Sequence, residues 1–200
     1  MLEPATTLTD FLMAAISLVC AVRQRRAQPS FQGPILFFLA FAMAAALGGL
    51  WHGFLGASSG LAGRVVWWLS MCFGGLSSAG LALAGLELLG VRRGLRAGLP
   101  VFAVAFGAYV WMQPAFVAAI VASACGTLIC LAGLLYRLRQ QPATGPLLGI
   151  AALALSAAGA FVQQRGIALD PNYFDHNATY HLFLLVSLGM FHAGLRRISL

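Results

Sequence analysis

Hydrophobic residues fill the chain in long blocks, and polar positions fall almost entirely in the short breaks between them. A helix needs about 20 apolar residues to cross a bilayer, and most of the blocks meet that length. Their limits predict helices over about residues 6–23, 34–56, 63–90, 98–112, 114–136, 146–165 and 176–195. The fourth and fifth are divided at Gln113-Pro114, because proline removes a donor from the helical ladder. Glycines at Gly48-Gly49, Gly56 and Gly74-Gly75 sit in or beside the blocks, where small residues let membrane helices approach closely. No internal repeat points to an inverted-repeat transporter. The expectation is a single all-α domain over residues 1–200, a polytopic membrane protein built as a seven-transmembrane-helix bundle.

Composition strengthens that expectation. The chain is 60% hydrophobic and 8% charged, with a mean hydropathy of +0.88, beyond the range of soluble globular domains. Every basic residue is arginine. Arg23, Arg25 and Arg26 follow the first block, Arg92, Arg93 and Arg96 the third, Arg137 and Arg139 the fifth, and Arg196 and Arg197 the seventh. Only Arg64 and Arg165 fall at the other ends. By the positive-inside rule the N-terminus lies outside and the C-terminus in the cytoplasm, which requires an odd number of spans. The net charge of +7 then reflects topology and contact with anionic lipid. No aromatic-basic motif accompanies it, so nucleic acid is not an expected partner. Met1-Leu2-Glu3-Pro4 carries an acid where a signal peptide needs bases. Cys20, Cys72, Cys125 and Cys130 lie inside blocks without paired spacing and read as packing residues.

With that orientation, the polar residues gather toward the outer half. His52 ends the second helix, roughly 27 Å above Pro34. His176 opens the seventh, and His181 lies roughly 7.5 Å deeper. Asp10 sits about one turn below the outer surface of the first. Its place in Thr7-Leu8-Thr9-Asp10 fits either a helix cap or a site. Imidazoles at membrane depth usually mark function, and three together suggest a metal site, with zinc the favoured ion. His176 and His181 are about 140° apart on an ideal helix. They converge only if Asp175 or Asn177 caps the helix and leaves His176 in the preceding turn, or if a π-bulge intervenes. The tryptophans read as an interfacial aromatic belt. Glu87 is expected to pair with Arg92 or Arg93, and His192 to hydrogen-bond locally near the cytoplasmic boundary.

An isolated histidine ending the second helix, in Trp51-His52-Gly53-Phe54, with His176-Asn177-Ala178-Thr179-Tyr180-His181 and His192-Ala193-Gly194 on the last, resembles a known group. This is the seven-helix superfamily of alkaline ceramidases and progestin and adipoQ receptors (the CREST group). The resemblance implies a zinc ion held by His52, His176 and His181, and hydrolysis of a lipid amide such as ceramide. The chain differs from the group at three points. The histidine pair is five positions apart rather than four, Gly48 stands where members carry a serine, and Gly60 to Ser70 contains no aspartate. An all-arginine, Ala/Leu/Gly-rich composition fits a bacterial branch, in the inner (cytoplasmic) membrane with its site facing the periplasm.

Three functions follow as expectations. The first is a zinc-dependent hydrolase acting on a membrane lipid amide or ester. Its three imidazoles leave a fourth zinc position for water, and Asp10 or Asp175 takes a proton or orients a ligand imidazole. The second is a non-catalytic lipid- or ligand-binding membrane protein with a structural metal or none. The third is a haem-binding membrane protein, with His52 and His181 facing one another.

Overall fold

A computed structural model describes residues 3–56, 60–91, 95–113 and 117–198. Seven α-helices account for nearly all of them: α1 (Pro4–Ala27), α2 (Gln32–Leu50), α3 (Leu61–Leu88), α4 (Leu95–Met112), α5 (Val117–Gln140), α6 (Thr144–Gln164) and α7 (His176–Leu195). Six contain apolar runs long enough to cross a membrane, while the apolar run of α4, Gly98–Met112, is shorter. Pro114, on which the division between α4 and α5 was argued, lies outside the described residues, as do Arg92 and Arg93.

Six helices close a ring. α1 packs on α2 and α7, α2 on α3, α3 on α5, α5 on α6, and α6 on α7, while α4 leans on α3 from outside. The ring closes because small residues let backbones touch. A Cβ at Gly33 would fall on the backbone of Ala84, and one at Gly80 on Phe37, so α2 and α3 lie in near contact. Gly85 meets Ile129 and Cys130, and Gly126 meets Ser78, which does the same for α3 and α5. Gly145 and Gly194 join α6 to α7. Without a hydrophobic drive between helices in lipid, such close packing is a main source of cohesion. Phe31, Phe38, Leu88, Leu134 and Leu195 fill the centre. Trp68 ties α4 in place, donating from Nε1 to the Gly107 carbonyl at 2.8 Å and meeting Trp111 edge-on. All four cysteines are free.

The two ends of the bundle differ. At one end stand the arginines that finish α1, α5 and α7. There the Glu87 carboxylate accepts from the backbone N–H groups of Gln32 (3.2 Å) and Gly33 (2.8 Å). It thus caps α2 across the α2–α3 interface, a role that its expected arginine pairing did not anticipate. Gln28 Nε2 reaches the Ile198 carbonyl at 2.8 Å, binding α1 to the end of α7. Among the described residues His192 lacks the expected local bond: its Nδ1 is buried without a partner there, and its ring stands edge-on to Phe38.

Gly85→Ala is expected to destabilise the protein by about 1–3 kcal/mol, because the added methyl falls on backbone that cannot yield. Gly74→Ala meets nothing within 4 Å and should leave stability unchanged. Thermal unfolding in detergent compares them, and equal melting would contradict the close-packed ring.

Candidate functional site

At the end opposite the arginine clusters, α1, α2 and α7 bring polar side chains together. α1 begins at Pro4 with proline in its first turn, so Asp10 lies in the second turn and is not a cap. Instead it is buried, 5% exposed. The end of α2 widens into a π-turn over Trp51–Leu55, where Gly56 N–H reaches back five residues to the Trp51 carbonyl at 2.7 Å. Such turns often occur at functional sites, and this one contains His52. α7 starts at His176 with Asp175 as its cap. The Asp175 carboxylate accepts from Ala178 N–H at 2.8 Å and from the Thr6 hydroxyl at 3.1 Å, locking the start of α7 onto α1.

Both site histidines are held by the same nitrogen. Glu3 Oε2 stands 2.7 Å from His52 Nδ1, and a carboxylate accepts, so Nδ1 carries the proton there. Thr9 Oγ1 stands 2.8 Å from His181 Nδ1. Its single proton is drawn by the Ala5 and Thr6 carbonyls at 2.9 and 3.0 Å, so the oxygen accepts from His181 Nδ1–H. His181 Nε2 therefore bears the lone pair, 3.8 Å from Asp10 Oδ1. That gap is too long for a hydrogen bond. Asp10 Oδ2 is buried with no partner among the described residues, and a Cβ at Gly48 would stand 3.4 Å from it. His52 and Asp175 lie within electrostatic reach of His181, and Glu3 within that of Asp10.

The sequence-derived residues separate accordingly. His181 and Asp10 come together, and His52 lies within electrostatic reach of His181. Asp175 is spent on the helix cap. His176 is the first residue of a regular helix, so neither a displaced turn nor a bulge brings it round to His181. It makes no hydrogen bond, ion pair or ring contact with a described residue. The π-turn lies on α2 rather than on α7, where the spacing argument had sought it. Sequence reasoning missed Glu3, Thr6 and Thr9, although two acids and three threonines before an apolar run were a visible cluster.

Zinc chemistry can be tested against these groups. Two zinc ligands at about 2.0–2.2 Å in tetrahedral array stand roughly 3.4 Å apart, and His181 Nε2 and Asp10 Oδ1 are 3.8 Å apart. Metal-binding imidazoles usually give their other N–H to a carboxylate, carbonyl or water, and His52 does so to Glu3. Among the described residues, however, no three His, Cys, Asp or Glu side chains converge on one point as they stand. The donor types suit zinc, but the three groups are not assembled into a ligand set as they stand among the described residues.

Thr9→Val would remove the hydroxyl that meets His181 Nδ1, leaving the Thr6 backbone within reach and costing about 0.5–1.5 kcal/mol, whereas Thr9→Ser keeps the hydroxyl. Unfolding temperatures of the two variants should separate. If they melt together, the bond carries no weight.

No curated protein and no solved structure matches the chain. A family model does match, over residues 5–200, with the description "Family of unknown function (DUF6962)". Because that match takes in almost the whole chain, the chain belongs to this family of unknown function.

Proposed function

We propose that this protein is a multi-pass membrane hydrolase that cleaves a lipid amide or ester at the α1–α2–α7 cluster, with zinc held by His52, His181 and Asp10. In this reading the N-terminus and the site face outward and the arginine clusters face the cytoplasm, as in a bacterial inner membrane. The observation that carries it is the pair of imidazoles anchored through Nδ1 beside a buried carboxylate with an unpartnered oxygen. The ceramidase-like pattern supports it as well. The group's serine and third-helix aspartate are absent, but Asp10 brings a carboxylate from α1 into the space beside Gly48.

Zinc bound there would supply Lewis acidity to the scissile carbonyl. The protein's own groups do the rest. Glu3 and Thr9 fix the imidazole tautomers, so that both Nε2 atoms remain acceptors. Asp10 Oδ2, free of hydrogen bonds, takes the proton from an attacking water and returns it to the leaving group. Asp175 and Thr6 hold the α1–α7 seam closed beneath the substrate.

A second reading is favoured by the lack of a three-ligand convergence among the described residues. In it, the same groups form a metal-free hydrogen-bonded staple between helices in a lipid-binding protein.

Elemental analysis and a lipid amide and ester panel on the detergent-purified protein distinguish the two. Stoichiometric zinc and turnover are expected in the native protein, both lost in His181→Ala and Asp10→Asn and both kept in His176→Ala. Native protein with neither zinc nor turnover overturns the hydrolase reading and leaves the staple.

A further inference from the structure

At the arginine-rich end, opposite the α1–α2–α7 cluster, a half-open groove of about 580 Å³ lies between helices. That volume falls within the roughly 300–1,000 Å³ of small-molecule sites. One wall is a stripe on α2: Gln32, Ile35, Leu36 and Leu39 recur at three- and four-residue spacing and so share a helix face. The stripe runs from a polar residue at the start of α2 to an apolar one about 10 Å along its axis. Leu83 of α3, 7% exposed, and Leu99 of α4 complete the groove. Because α4 leans on α3 from outside the ring, the groove is the gap left between α4 and α2. Leu39 is 41% exposed, so the apolar part opens sideways, toward whatever surrounds the bundle.

Arg25, exposed in the last turn of α1, lines the polar end of the groove. The turn that follows it is tied down. Phe31 N–H donates to the Gln28 carbonyl at 3.0 Å, Gln28 Nε2 to the Ile198 carbonyl at 2.8 Å, and Gln32 Nε2 to the Pro29 carbonyl. The rim is therefore preformed. Among the described residues the Arg25 guanidinium has neither an ion pair nor a hydrogen bond. Of the five acidic residues in the chain, only Glu87 belongs to this end, and its carboxylate accepts from the Gln32 and Gly33 N–H groups. The groove thus joins an uncompensated cation to an apolar trough open on its side.

We infer that this groove binds one anionic phospholipid of the adjoining leaflet, its phosphate against Arg25 and the start of an acyl chain along Ile35, Leu36 and Leu39. A guanidinium offers phosphate two parallel N–H donors, and basic residues near a bilayer surface attract anionic lipid. Within a bilayer an acyl chain gains little by exchanging one apolar neighbour for another, so the headgroup decides which lipid binds. A soluble phosphate would leave the apolar wall bare, which favours the lipid as occupant. The inference rests on the bundle crossing a bilayer, but not on lipid hydrolysis at the other end.

The test titrates phosphatidylglycerol and phosphatidylcholine with identical chains into the full-length protein in neutral detergent, and native mass spectrometry reads the one-lipid complex. Phosphatidylglycerol should bind several-fold more tightly. Arg25→Gln should weaken it roughly fivefold, the loss expected for one arginine near the surface, and leave phosphatidylcholine unchanged. Arg26→Gln removes the same charge from the next position, outside the groove, and should leave phosphatidylglycerol binding as it was. Leu39→Trp fills the apolar part and should weaken both lipids, with its melting curve confirming the fold. Equal binding of the two lipids by the native protein overturns the inference. So does an Arg26→Gln loss as large as that of Arg25→Gln, the mark of diffuse surface attraction, or a folded Leu39→Trp that binds like the native protein. Displacement of the lipid by millimolar glycerol phosphate overturns it in favour of a soluble ligand. Flotation of the protein with vesicles checks the membrane reading separately.

Discussion

The polar end of this bundle is built around one constraint, the burial of a carboxylate, Asp10, among its helices. A buried polar group without partners is costly, and Asp10 lies 5% exposed with Oδ2 unpaired. The surroundings leave it room rather than donors. His181 approaches Oδ1 from α7, Gly48 and Gly49 leave room on α2, and the Thr6–Asp175 bond holds the seam together. The His52–Glu3 contact extends the same cluster toward the chain's beginning.

The scaffold that makes this possible is dry and close-packed. Backbone contacts at Gly33, Gly80, Gly85 and Gly126 draw α2, α3 and α5 together, so α3 becomes the spine on which α4 leans. At the arginine-rich end, Glu87 satisfies the first N–H groups of α2 from another helix. That cap lets α2 begin abruptly after a four-residue connection from α1, which fixes the level at which its far end, with His52, meets α1. Events at one end of the bundle therefore set the geometry at the other.

The polar groups fall into two kinds, and the difference has chemical meaning. His52, His181 and Asp175 are anchored by short, specific bonds that set tautomer and direction. Asp10 Oδ2, Ser17 Oγ and Gln24 Oε1 are held in place with a bonding capacity still open. The first kind is fixed in direction by its bonds, and the second is not. Both kinds meet at Asp10, which accounts for its position in the second turn of α1, too deep for a cap.

Hydrophobic periodicity and arginine placement were enough to read seven helices, because block length and composition alone decide whether a segment can be a membrane helix. The boundaries at His176 and near Leu88 were legible for the same reason. Individual histidines also stood out, since an imidazole in an apolar run is conspicuous. Which of them meet was a matter of rotation and depth, and those depend on packing. His176 was separated from His181 by the regular start of α7 at its Asp175 cap, and His52 was carried toward Glu3 by a π-turn that leaves no mark in hydrophobic pattern. The ring order, with α4 outside and α7 returned against α1, likewise came only from close contact between small residues. Linear sequence determined which segments are helices and which polar groups they carry. Tertiary structure alone decided which of those groups share a site, because convergence depends on how whole helices turn toward one another.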